Sequence, residues 1–165
     1  MSANETYLFF NSSLGIHLTS DQVSREIVNF INERPENEYK VTLGTDSEKD
    51  SENNADFVTA IVVHRVGHGG RYFWRRISGS TKYHTLRNRI TQEVLISLDI
   101  AKNFLEAMKN AGAPKFDFEI HVDIGEHGAT RSLIQELVGM IRANNFEVAT
   151  KPNSYAASKV ADRHV

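Results

Sequence analysis

Residues 57–78 read FVTAIVVHRV-GHGG-RYFWRRIS. Two runs rich in β-branched and aromatic residues flank the quartet Gly67-His68-Gly69-Gly70, a pattern that predicts an antiparallel hairpin with strands over 57–66 and 71–78. Before the hairpin, residues 39–45 form a further strand-like run. After it the period changes. Leu86, Ile90, Glu93, Ser97, Ile100 and Phe104 step by three and four residues, so 86–110 reads as a long helix that stops before Gly112 and Pro114. Phe116, Phe118, Ile120 and Val122 alternate with Asp117, Glu119, His121 and Asp123, the mark of a fourth strand. A helix over 130–143, a strand over 146–150 and a last helix over 155–163, capped by Asn153 or Ser154 beyond Pro152, complete the chain. Upstream, Thr19 and Gln22 form a capping box for a helix whose stripe is Val23, Ile27, Phe30 and Ile31. Residues 7–18 read as irregular, with an apolar Tyr7-Leu8-Phe9-Phe10 patch set against the core. The order after the first helix is β-β-β-α-β-α-β-α, which predicts a mixed α/β sheet with helices on both faces. Residues 1–36 are expected to be an extension and helix packing on a domain over 37–165, one globular unit overall.

The chain has 165 residues, 40% hydrophobic and 24% charged, with a formal net charge of −2. That balance excludes a globally basic nucleic-acid binder but allows a local basic face. There is no cysteine, so disulfides, thiolate zinc sites, iron–sulfur clusters and a cysteine nucleophile are excluded. No apolar run approaches the ~18–20 residues of a membrane span. The start, Met1-Ser2-Ala3-Asn4-Glu5, does not read as a signal peptide, and a cytoplasmic location with no membrane partner is expected.

Four carboxylates stand at informative places. Asp46 follows the first strand in Leu43-Gly44-Thr45-Asp46-Ser47, and Asp123 ends the fourth in His121-Val122-Asp123-Ile124-Gly125; each reads as a metal ligand at a strand's C-terminal edge or as a turn aspartate. Glu93 sits within the apolar stripe of the long helix, where a lone carboxylate needs a proton, a cation or a metal; otherwise it marks the edge of the stripe or pairs with Arg89. Asp99, six residues on, lies roughly 120° away and reads as solvated. Asp162 lies on the last helix, where small residues at 156, 157, 158 and 161 permit close approach to the sheet; otherwise it pairs with Lys159 at the surface.

On Gly44-Thr45-Asp46-Ser47, His121-Val122-Asp123-Ile124-Gly125, Lys151-Pro152-Asn153-Ser154-Tyr155-Ala156-Ala157-Ser158 and Ala161-Asp162-Arg163, the chain resembles the bacterial YkuK-like family of predicted ribonuclease H-like proteins. The resemblance runs from Phe9 to Arg163. It implies a five-stranded mixed sheet in order 3-2-1-4-5 with strand 2 antiparallel to the rest. It also implies that Asp46, Glu93, Asp123 and Asp162 are catalytic and hold two Mg²⁺ or Mn²⁺ ions, with Asp46 bridging both, Glu93 and Asp123 on one and Asp162 on the other. Hard divalent cations favour such oxygen ligands, and two of them can activate water and stabilise a leaving 3′-oxygen.

From His64 to Arg89 there are seven Lys or Arg and no Asp or Glu. Arg71, Arg75, Arg76, Lys82, Arg87 and Arg89, with Trp74 and Tyr83, supply cations for phosphates and ring faces for bases; a charge-protected sheet edge is the plainer account. Strand alternation sends Arg71, Phe73 and Arg75 one way and Tyr72, Trp74 and Arg76 the other. Residues 46–56 hold five acids and one lysine and read as an acidic loop near the site. His127 and His164 are candidates for proton transfer, and Lys151 for a phosphate contact. His64 and His68 have zinc-like spacing but no third ligand in sequence. The leading expectation is a metal-dependent nuclease, a hydrolase of phosphodiester bonds in RNA, RNA–DNA hybrid or structured DNA. The alternative is a non-catalytic nucleic-acid-binding module on the same fold. A phosphate-handling or protein-interaction domain is a third class.

Overall fold

The computed structural model describes residues 9–13 and 15–164, so Tyr7 and Leu8 of the apolar patch lie outside the described residues. The chain runs β1 (Phe9–Ser12), β2 (His17–Thr19), α1 (Ser20–Glu33), β3 (Tyr39–Lys49), β4 (Asn54–Arg65), β5 (Gly70–Lys82), α2 (Leu86–Asn110), β6 (Asp117–His121), a 3₁₀ turn at Arg131–Leu133, α3 (Ile134–Ala143) and β7 (Glu147–Ala149). A C-terminal helix then winds as a π-helix over Ala156–Ala161 and as an α-helix over Asp162–His164. The capping box at Thr19 and Gln22 is formed in both directions.

The strands make one mixed sheet in the order β2-β1-β5-β4-β3-β6-β7. The five expected strands keep their relative order within it, and β4 is antiparallel to both neighbours while β3, β6 and β7 run parallel. The expectation of a five-stranded sheet is corrected: among the described residues the sheet has seven strands, because β1 and β2, in and beside the stretch 7–18 expected to be irregular, pair as a hairpin against the edge of β5. Its strands, of four and three residues, are too short to show a period. The acidic stretch is also more regular than expected. β3 and β4 remain paired to Lys49↔Ala55, and Asp50 Oδ1 closes the turn by accepting from the Glu52 and Asn54 N–H groups at 2.8 and 3.0 Å.

The parity of β3 organises the molecule, because alternate side chains of a strand face opposite sides. Val41 and Leu43 point into the main core with Val23, Ile27 and Ile31 of α1, Phe104 and Met108 of α2, and Leu137 and Ile141 of α3. The even-numbered side faces the C-terminal helix, where Val58, Ala60 and Ala161 form a smaller cluster with Trp74 and Val160. Among the described residues, no helix is long and apolar enough to cross a membrane.

Candidate functional site

β3 and β6 pair in parallel as far as Gly44↔His121. There β6 ends, while β3 continues with β4 alone. The parting of two parallel strands at their C-terminal ends opens a crevice, the usual ligand position of an open α/β sheet. Asp46 and Asp123 each lie two residues beyond the last paired position and flank it.

Glu93 enters from α2. The stripe of that helix is buried at Ile90, Glu93, Val94, Ser97, Ile100, Phe104 and Met108, while Asp99 is exposed. Four helical residues rise about 6 Å, close to two strand residues, so Glu93 and Ser97 match Ser47 and Thr45 of β3. Ser47 Oγ donates to Glu93 Oε1 at 2.5 Å. Thr45 Oγ1 lies 2.8 Å from both Ser97 Oγ and Thr59 Oγ1. Arg89, one turn before Glu93, donates to Ser47 O at 2.8 Å.

Asp162 arrives from the opposite face, on the C-terminal helix. Ala156 and Ala161 are fully buried, which brings that helix close to the sheet; the side chains of 157 and 158 lie outside the described residues. His121 fastens its start: Nδ1 accepts the Ala156 N–H at 3.1 Å, and Nε2 lies 2.7 Å from Glu119 Oε1. Glu119 also meets Lys40 Nζ at 2.8 Å, and the Tyr155 ring packs edge-on to His121. Burial holds His121 below the usual imidazole range, and the Nδ1 acceptor fits the neutral ring.

The four acids interact. Burial, then a hydrogen bond with the Asp162 carboxyl, and further the charge of Asp123, push Asp46 up to about 7. Burial pushes Glu93 well above the usual carboxylate range; Ser47 and Arg89 oppose this, while Asp46 and Asp123 reinforce it. Glu93 Oε2 is buried and has no hydrogen-bond partner. An orphaned carboxylate oxygen amid like charge suits a hard cation, and the donor set, all oxygen, fits Mg²⁺ or Mn²⁺. As placed, however, no group of three or more His, Asp or Glu side chains among the described residues is arranged to hold an ion. Three contacts hold the acids in their present arrangement: Asp46 with Asp162, Glu93 with Ser47, and Asp123 Oδ1 with Lys151 Nζ at 3.3 Å.

The basic residues divide between the faces. Trp74 and Arg76 lie on the side of Asp162: Trp74 stacks on His164 with ring centroids 4.3 Å apart, and Arg76 donates to the His164 carbonyl. Arg71 and Arg75 lie on the other side, over the rings of Phe30 and Phe10. Arg75 Nε is buried with no hydrogen-bond partner. Tyr83 packs edge-on to Phe57, Lys82 Nζ donates to Glu52 O, and Arg87 pairs with Glu136 of α3. The eight candidates therefore do not form one surface. His127 is exposed in the loop after Asp123, and His164 lies against Tyr72 and Trp74. Ser47 was not singled out by the sequence, although its odd parity beside Asp46 and the i, i+4 pair Glu93/Ser97 carry the signal.

Residues 22–165 match the family described as Ribonuclease H-like. The chain is 31% identical over 170 residues to a Bacillus subtilis (strain 168) protein named "Uncharacterized protein YkuK", covering 96% of this chain and 97% of the relative. The strand order around β3, the crevice at its C-terminal end and these two matches agree: the chain belongs to the ribonuclease H-like family and is a YkuK-like member of it.

Proposed function

We propose that the protein is a metal-dependent nuclease that hydrolyses phosphodiester bonds of RNA, RNA–DNA hybrid or structured DNA. The observation that carries this reading is the buried, unpartnered Glu93 Oε2 in an electrostatic group with Asp46, Asp123 and Asp162. Burial and neighbouring carboxyls raise the affinity of Asp46 and Glu93 for protons, which poises these two groups to exchange a proton for a divalent cation. Asp46, Glu93, Asp123 and Asp162 are the carboxylates that would hold the ions. Two bound Mg²⁺ or Mn²⁺ ions would supply the positive charge for activating water and stabilising a leaving 3′-oxygen. Ser47 donates to the Glu93 carboxyl, and Arg89, bonded to Ser47, adds positive charge beside it. Lys151, whose ammonium lies beside Asp123, is the cation assigned to a phosphate in the crevice.

The test is cleavage of labelled RNA, hybrid and branched DNA with Mn²⁺ by the wild type and by Asp46→Asn and Asp123→Asn. Cleavage is expected to fall by at least about a thousandfold in each variant, with circular dichroism unchanged. Salt-sensitive binding without cleavage, indifferent to both substitutions, favours the non-catalytic binding module instead.

A further inference from the structure

Lys151 is built against Asp123. Its N–H donates to Ile124 O at 2.8 Å, and the Val122 N–H donates to Ala149 O at 3.0 Å, so the chain after β7 is locked to the loop that carries Asp123. Gly125 makes room for the lysine stem: a Cβ at residue 125 would stand 3.2 Å from Lys151 Cβ and 3.5 Å from its Cδ. The ammonium is then 3.3 Å from Asp123 Oδ1, with the lysine side chain 52% exposed. A compact point charge on a flexible stem can leave a carboxylate without unpacking anything. A divalent cation seeks the same oxygen.

We propose that Lys151 is a positioning residue that acts as the resident counter-ion of Asp123 and sets the threshold for divalent-ion binding by competing for that carboxylate. The inference rests on the nuclease reading, since it takes Asp123 as an ion ligand.

Calorimetric titration of Mn²⁺ into the wild type, Lys151→Met, Lys151→Arg and Gly125→Ala tests it. Lys151→Met is expected to bind Mn²⁺ about five- to tenfold tighter than the wild type, the range for losing one half-exposed competing charge. Lys151→Arg, which keeps the charge, is expected to stay within about twofold. Gly125→Ala keeps every charge but crowds the stem, and is expected to tighten binding in the same direction. It also stands in for Lys151→Met should that variant not fold. Wild-type affinity in both Lys151→Met and Gly125→Ala overturns the inference and leaves the nuclease reading intact. Absence of Mn²⁺ binding in the wild type and in Lys151→Met alike overturns both.

Discussion

Asp46 is poised to exchange a proton near neutral pH because of its surroundings: it is partly desolvated, hydrogen-bonded to the Asp162 carboxyl and repelled by Asp123. In the unfolded chain the same carboxyl ionises near 3.8, in the folded chain near 7. Between those values the native state binds the extra proton. Its stabilising contribution is therefore fully present below pH 4 and is lost as pH rises through 7. Glu93 shifts in the same direction, whereas Glu119 and Asp50 are held below their ordinary range and act oppositely. The difference between wild type and Asp46→Asn isolates the effect. Measured in chelator, the melting temperature of the wild type is expected to fall relative to the variant from pH 4 to 7, and to level off above it. A relative rise over that window contradicts the assignment. Glu93 was legible in the sequence because a carboxylate interrupts a regular apolar stripe. The Asp46–Asp162 hydrogen bond was not legible, because it joins residues 116 positions apart whose approach depends on how the last helix docks.

At the scale of elements, the C-terminal helix is held on the sheet by small residues. Ala161 is fully buried against Val58 and Ala60. Ala161→Leu forces a larger side chain into that contact at a cost of about 1–3 kcal/mol and is expected to lift the helix, and Asp162 with it. Trp74 is the chain's one tryptophan and stacks on His164 at the end of that helix, so its emission should shift to the red. Unchanged emission in a folded variant rules out the lifting. The long helix was legible to the residue, 86–110, because its period is sustained over 25 positions. The β1–β2 hairpin was not legible: strands of four and three residues offer no period to count. The split of the basic residues was half legible. Alternation separates Arg71 and Arg75 from Arg76, but only the packing of Phe10 and Phe30 shows which side is turned inward.

For the whole molecule, that hairpin finishes the sheet. It covers the edge of β5 at Asn11↔Trp74 and Ser12↔Phe73, and Phe10 is buried beneath the Arg75 guanidinium. Deleting residues 1–15 uncovers that edge and is expected to lower the melting temperature and to cause self-association visible by light scattering, since an unpaired edge recruits other strands. A variant that stays monodisperse at the wild-type melting temperature assigns the hairpin no such role. The alternation along β3 has a larger consequence. Ser47 turns toward α2 and its neighbour Asp46 toward the last helix. One residue inserted between 40 and 45 would exchange the two, giving the acid to the wrong layer of the molecule. The turn at 50–53 can drift in length across descendants of this chain, but the stretch leading to Asp46 can change length only by even steps. Chemistry here is inherited through odd and even, a constraint that no count of matching residues would display.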